Sequence, residues 1–471
     1  MLGYFFRAAR NMICALNRMK AILMFVIPVL CLQLFNVFYL NNIKIRDSGM
    51  LVSQSLESKI VEHRFNKTVY QELLTSDGNF LLYKAFLDLR EEPTVRIFGF
   101  FNQHPPRIAT YCQLHYSKLT EIVVRKVKYV RIDVFKFGKI KDKKRRSTIY
   151  QPYMLSCILP KLKSEFPTAV SLVEERRTKQ PTNRLNIVYK KHEGSKDMFA
   201  VCFRAMSFTE DISFRLVEWL ELLRILGATK VFIYETDLHP NTHKTLKFYE
   251  KSGFVKLNYF SFPVHKPNET DHLGLENNVL QSELMPHQDC LYSNMYRFDY
   301  FAVMDIDEVI VPTQNRTWMD ILEELQRRNV SLNKASLTFR NGYFLQQYKD
   351  ANSQGPFTDI PLHNNMLQQV YRSLEHHPPN FASKSFQNTR QTLISANHYS
   401  LICLKSSKCA QYSVDLSIGQ LNHYRMSCPV QYHTKFCLKT TPTVKDTTLW
   451  RWKTELIEST NKSLLQLGLI N

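Results

Sequence analysis

From Ala21 to Ile43 no residue is charged, and Ile, Leu, Met, Phe and Val dominate. A run of that length crosses a hydrocarbon core of about 30 Å as a helix, so residues 21–43 are expected to form a transmembrane anchor. Arg7, Arg10, Arg18 and Lys20 precede it without an acidic residue. Residues 1–20 are therefore expected to be a cytosolic tail, with the rest of the chain lumenal. A cleaved signal peptide is the alternative, disfavoured by Pro28 and Gln33 inside the run and by the lack of a small-x-small cleavage site close behind it.

Beyond the anchor, residues 44–92 are polar with scattered apolar positions, the pattern of a stem. Residues 93–195 hold short β-rich runs such as Ile122–Val124 and Val130–Phe135 between Pro- and Lys-containing turns, which predict a smaller β-rich lumenal domain. Over residues 196–471 the period lengthens. Phe199–Phe203 reads as a buried strand, followed by a helix with Leu216, Leu220, Leu223 and Leu226 on one face and Gly227 as its stop. Val231–Tyr234 is a second strand, Asn241–Ser252 a second helix ended by Gly253, and Val255–Phe260 a third strand. This alternation predicts an α/β fold, a mostly parallel Rossmann-like sheet with covering helices. Ligands of such sheets collect beyond the carboxyl ends of the strands, which points to Tyr234-Glu235-Thr236-Asp237 as nucleotide contacts.

Composition adds less. The 471 residues, 44% hydrophobic and 22% charged, suit a globular protein and not a disordered one. A net charge of +20 fits nucleic acid, an anionic membrane or an anionic substrate. With the body beyond an anchor, no nucleic acid is expected as a partner, and the basic run Lys139–Arg146 reads as a solvated loop. Asn-x-Ser/Thr sequons at Asn66, Asn268, Asn315, Asn329 and Asn461 all follow the anchor. So do eight of the ten cysteines, an even number suited to an oxidising compartment. Cys403/Cys409 and Cys428/Cys437 look like disulfide partners, and without a Cys-x-x-Cys a zinc site is not expected.

The apolar run Tyr300–Met304 leads into Asp305-Ile306-Asp307-Glu308. Alternation along an extended strand puts Asp305 and Asp307 on one side, where both carboxylates can reach one Mn²⁺ or Mg²⁺ together with substrate phosphates. Such a cation acts as a Lewis acid on a departing nucleoside diphosphate. An apolar strand ending in Asp-x-Asp also resembles the nucleophile strand of haloacid dehalogenase-like phosphatases. The isolated aspartates downstream, from Asp320 to Asp446, lack the later acidic pair that chemistry needs.

The ordered pieces Val217–Leu223 with Leu226-Gly227-Ala228, Phe232-Ile233-Tyr234, Tyr249–Gly253, Asp289–Tyr292, Met304–Glu308 and His423-Tyr424-Arg425 resemble glycosyltransferase family 92. The resemblance covers roughly residues 198–436. It implies a GT-A type transferase in the Golgi membrane that moves a sugar from a UDP-sugar donor to a glycan acceptor; some members transfer galactose in β-linkage to fucose on N-glycan cores. On that pattern Asp305 and Asp307 hold Mn²⁺, Tyr234 and Asp237 lie near the uridine, and Asp289 belongs to the donor site. A non-catalytic glycan- or nucleotide-sugar-binding protein on the same fold is the remaining alternative. A third ligand is expected from His423, in the family motif, or from His398, nearer the acidic triplet in sequence. An inverting reaction needs a carboxylate base, for which Asp350, Asp359 and Glu375 are the candidates after the metal strand; Glu375 is preferred, at the end of a helix spaced by Leu367, Val370, Tyr371 and Leu374. Arg340 and Lys384 are the expected cations for the pyrophosphate.

Overall fold

The computed structural model describes residues 70–118, 121–132, 150–161, 165–191, 194, 196–263, 282–351, 355–405, 408–427 and 442–471. The expected tail and anchor, the sequons at Asn66 and Asn268, the run Lys139–Arg146 and the Cys428/Cys437 pair lie outside them. Among the described residues no helix is long and apolar enough to cross a membrane. All of the described residues fall in one compact unit, Thr68–Asn471.

The first sheet holds β1 (Gln71–Leu74), β2 (Asn79–Asp88), β3 (Thr94–Phe101), β4 (Tyr111–His115), β5 (Val123–Lys126), β6 (Lys128–Arg131), β7 (Gln151–Ile158), β8 (Ala169–Val173) and β9 (Leu185–Val188). Its strands run in the order β5-β4-β8-β9-β2-β3-β7-β6, with β1 beside β2. Here the stem reading of residues 44–92 needs correction, because β1 and β2 lie inside it. Phe80, Leu82, Ala85 and Phe86 are fully buried, and a continuous apolar run buried on both faces is a central strand. The Cys112–Cys157 disulfide ties β4 to β7.

The second sheet contains β10 (Asp197–Phe208), β11 (Lys230–Leu238), β12 (Val255–Tyr259), β13 (Phe298–Val303), β15 (Ser336–Phe339), β18 (Lys384–Asn388) and β21 (Gln411–Ser413). Its order is β12-β11-β10-β13-β18-β15-β21. Strands β10 to β13 are parallel to one another, whereas β18 is antiparallel to both β13 and β15. The mostly parallel sheet is thus a mixed one. Helices α1 (Ser213–Leu226) and α2 (Pro240–Lys251) connect the first three strands and end where glycine permits a left-handed turn, Gly227 at φ 106° and Gly253 at φ 81°. They cover one face, burying Leu216, Leu220, Leu246 and Tyr249 against Val201 and Ile233.

The opposite face meets α3 (Leu284–Asn294) and the first sheet: Cys202, Phe232 and Tyr234 pack with Met285, Leu291, Phe86, Phe98 and Phe100. The Cys202–Cys290 disulfide ties β10 to α3. The β-rich segment therefore supplies part of the core under the α/β sheet.

A third sheet of β14 (Glu308–Pro312), β16 (Asn341–Leu345), β17 (Tyr371–Ser373), β22 (Gly419–Arg425) and β23 (Thr443–Lys445) has the order β14-β22-β16-β17-β23. The hairpin of β19 (Thr392–Ser395) and β20 (Ser400–Cys403) carries the Cys403–Cys409 disulfide at its end, one of the two expected pairs. Helix α4 (Trp318–Arg327) starts on a capping box between Thr317 and Asp320, α5 spans Gln346–Ala351, and α7 (Lys453–Leu467) packs on α1. The helix expected up to Leu374 is only the short α6 (Asn365–Gln368), because the chain passes from it into β17.

Candidate active site

Strand β13 ends at Val303, so Asp305 and Asp307 do not alternate along a strand. They lie on the turn between β13 and β14, closed by the Glu308 N–H donating to the Asp305 carbonyl at 3.0 Å. A turn gathers three acids where a strand would gather two. Oxygens of Asp305, Asp307 and Glu308 lie within 4.8 Å of one another, the one group among the described residues that meets the spacing for a metal ion.

The third sheet fixes what faces this turn. Glu308 is opposite His423 in the antiparallel β14–β22 pair, and the Tyr424 N–H donates to the Asp307 carbonyl at 2.8 Å. That register holds His423 Nε2 3.3 Å from Asp307 Oδ2 and Nδ1 3.4 Å from Glu308 Oε1. Trp219 of α1 donates its Nε1–H to the Glu308 carbonyl at 3.0 Å, and Arg215 Nη2 stands 3.8 Å from Asp307 Oδ2.

Lys384, the first residue of β18, is fully buried with Nζ 2.8 Å from Glu308 Oε2, 3.3 Å from Asp305 Oδ2 and 2.5 Å from Asn397 Oδ1. Burial opposes charge on Asp305, but Lys384, Arg204 and His423 outweigh it and hold the carboxyl well below its usual range. Burial wins at Glu308, which is pushed up despite Lys384. At Lys384 the neighbouring Asp305 and Glu308 outweigh burial and keep the ammonium charged.

Asp305 Oδ1 is shielded from solvent and accepts no hydrogen bond. Arg204 Nε approaches it to 2.9 Å, near enough for an ion pair but without the alignment a hydrogen bond requires. A buried carboxylate oxygen without a directed donor, two more carboxylates and an imidazole form a donor set that fits Mn²⁺ or Mg²⁺.

The other expected residues divide. His398 donates Nδ1–H to the Ser383 carbonyl at 2.7 Å, which leaves Nε2 as its lone-pair nitrogen; burial pushes its pKa down to about 4. It feels the charges of Asp305 and Lys384, but His423 is the histidine in contact with the acidic turn. Asp237 is exposed at the end of β11, on the side where the parallel strands end. Tyr234 is only 1% exposed and packs in the core between the two sheets, bonded to Asp289. Asp289 also accepts from Tyr83 at 3.0 Å, Lys84 at 2.5 Å and Ser293 at 2.9 Å. Through Tyr83 and Lys84 of β2, Asp289 joins the β-rich segment to the α/β part, and its polar atoms and that of Tyr234 face each other in the interior, which corrects the donor-contact reading of both residues. Arg340 is likewise occupied, donating to the carbonyls of His377 at 2.8 Å and His376 at 3.4 Å, and Lys384 is sealed beneath the acidic turn. Glu375 is exposed at a bend after β17. That bend borders the site through ring contacts from His377 to Tyr343 (5.2 Å) and from Tyr343 to His423 (5.0 Å). Sequence reasoning missed Arg204, although a single arginine within the apolar stretch Phe199–Met206 was a visible signal.

A family model for glycosyltransferase family 92 matches residues 197–460. The chain belongs to glycosyltransferase family 92. This family 92 member is therefore a glycosyltransferase, and the phosphatase reading of its Asp-x-Asp turn falls away. No curated protein matches this chain. A solved structure, described as the apo form of a bifunctional glycosyltransferase, WbbM, is similar over 34% of this chain and 27% of its own, at 12% identity and a TM-score of 0.18. The chain thus matches about a quarter of that protein's length.

Proposed function

We propose that this family 92 enzyme is a metal-dependent hexosyltransferase of the Golgi membrane, anchored by residues 21–43, which moves a sugar from a UDP-sugar to a hydroxyl of a glycan. The observation that carries this reading is the meeting of Asp305, Asp307, Glu308 and His423 at the carboxyl end of β13, with Asp305 Oδ1 lacking a directed partner.

Asp305, Asp307 and His423 would hold the cation, Mn²⁺ or Mg²⁺; when bound it neutralises charge on the departing diphosphate. Lys384 keeps Asp305 ionised and oriented from beneath. Arg204 and Arg215, each more than a third exposed, add positive potential at the mouth of the site. Asp237 is the nucleoside contact, since Tyr234 is sealed in the core. Glu375 is the acceptor-side base, accepting the proton of the attacking hydroxyl.

The test incubates full-length protein in detergent with UDP-galactose, UDP-glucose and UDP-N-acetylglucosamine, with Mn²⁺ or with chelator, and a mixed glycan acceptor. Release of UDP that needs Mn²⁺ and is lost in Asp305→Asn and Asp307→Asn is expected. UDP release that persists in chelator, or in both variants, refutes the metal-dependent reading.

A further inference from the structure

Strand β10 carries its one charged interior residue at a break in the pleat. Ala200 and Cys202 face the core shared with the β-rich segment, and Val201 and Phe203 face the core under α1. Ala205 rejoins the Cys202 side and Met206 the Phe203 side, so Arg204 is the residue added by a bulge, seen as a register shift between Cys202 and Ala205 against β11. A bulge of this kind re-aims a side chain, and it is common beside active sites. Here it turns a guanidinium out of the sheet toward Asp305.

The two cations on Asp305 differ in freedom. Lys384 is fully buried and holds three oxygens. Arg204 is 38% exposed; its Nη1 donates to both oxygens of Glu283, at 3.0 and 3.1 Å, while its Nε only stands near Asp305 Oδ1. Around the turn, four carboxylates (Asp305, Asp307, Glu308, Glu283) face three basic side chains (Lys384, Arg204, Arg215). A divalent cation reverses that balance and repels the nearest guanidinium, and a diphosphate then supplies the anion to receive it. The planar fork of arginine matches two phosphate oxygens, which a point charge does not.

We infer that Arg204 is a movable counter-ion: it covers Asp305 until a divalent cation binds there, then turns to the diphosphate of the nucleotide. This role rests on the metal and nucleoside diphosphate reading above. It makes Arg204 an opponent of the metal and an ally of the nucleotide, two effects of opposite sign that a purely structural side chain does not produce.

The experiment compares full-length wild type and Arg204→Gln. Mn²⁺ binding is followed alone by electron paramagnetic resonance, and UDP and uridine binding by calorimetry at saturating Mn²⁺. Arg204→Gln is expected to bind Mn²⁺ alone about tenfold tighter and UDP about tenfold weaker, with uridine unchanged within twofold. Mn²⁺ affinity that is unchanged or weaker, or UDP affinity that is unchanged, overturns the role. Wild type that binds Mn²⁺ but not UDP refutes the nucleoside diphosphate reading, and this role with it. If Arg204→Gln does not fold, Arg204→Lys decides: Mn²⁺ affinity within twofold of wild type with weaker UDP binding supports the fork, and unchanged UDP binding overturns it.

Discussion

Asp307 and His423 stand 116 residues apart in the chain and 3.3 Å apart in space. The link between them is a strand register, in which Glu308 pairs with His423 and the Asp307 carbonyl receives the Tyr424 N–H. His423→Ala therefore removes a candidate ligand without disturbing the strand pair. Its Mn²⁺ affinity should fall about tenfold while its melting temperature stays near that of wild type. An affinity equal to wild type excludes His423 as a ligand, and the same measurement on His398→Ala then decides for the other histidine.

Lys384 neutralises two carboxylates from a fully buried position. Lys384→Met should destabilise the fold by about 3–5 kcal/mol, since it leaves buried charge without its partner. Adding Glu308→Gln should restore part of that loss. Chemical denaturation reads both, and additive costs in the double variant contradict the pairing.

Glu218 on α1 is fully buried and accepts the Met366 N–H at 3.0 and 3.1 Å, at the start of α6. Burial, only partly offset by those backbone donors, pushes its pKa up to about 8. A carboxyl raised in the folded state binds its proton more tightly there than when unfolded. Its contribution is complete below about pH 4.5 and is lost as pH rises through about 8. The stability of Glu218→Gln relative to wild type should therefore grow from pH 5 to pH 8. A constant difference across that range counts against a protonated Glu218.

If Asp289 acts as a structural tie rather than a donor contact, Asp289→Ala should cost about 3 kcal/mol, because Tyr83, Tyr234 and Lys84 all lose their acceptor. Folded protein of this variant should still bind UDP as wild type does. Weaker UDP binding at unchanged stability would restore Asp289 to the donor site.

Two sequons differ sharply. Asn329 is exposed, at φ 58° just past α4, with Ser331 exposed beside it. Asn461 lies inside α7, its Oδ1 held 2.8 Å from His363 Nε2, and the Ser463 hydroxyl donates to buried Glu221 at 2.8 Å. Peptide mass spectrometry before and after glycosidase treatment should find glycan at Asn329 and none at Asn461. The reverse occupancy contradicts a lumenal body folded in this way.

Local signals in the sequence were read well where one period and one stop decide the element. The apolar face Leu216 to Leu226 lies within α1 and Gly227 marks its end, and Asn241 to Ser252 with Gly253 falls within one residue of α2 at either end. What stayed hidden depends on partners far away in the chain. Glu218 and Glu221, inside the family motif, look like surface-helix acids, yet both are buried, with Met366 of α6 donating to Glu218 and Ser463 of α7 donating to Glu221. The Asp-x-Asp pair was legible as a site, but its geometry was not: apolar Tyr300–Met304 suggests a strand running through the acids, and only the pairing of β14 with β22 explains the early turn. Tyr234 illustrates the same limit. Its place at a strand end suggests a ligand, and only the first sheet, packed over it, shows that it is interior.

The Tyr83–Asp289–Tyr234 tie has a practical consequence. The family match begins at residue 197, but Phe86, Phe98, Phe100 and Met154 fill the core against Tyr292, Phe298 and Phe301. A fragment cut at the edge of the match would bare that aromatic surface and strand the Asp289 carboxylate, inviting aggregation. The boundary by which relatives are recognised runs through the middle of what must fold together, so recombinant work and inheritance alike have to carry the preceding strands as one piece with the catalytic half.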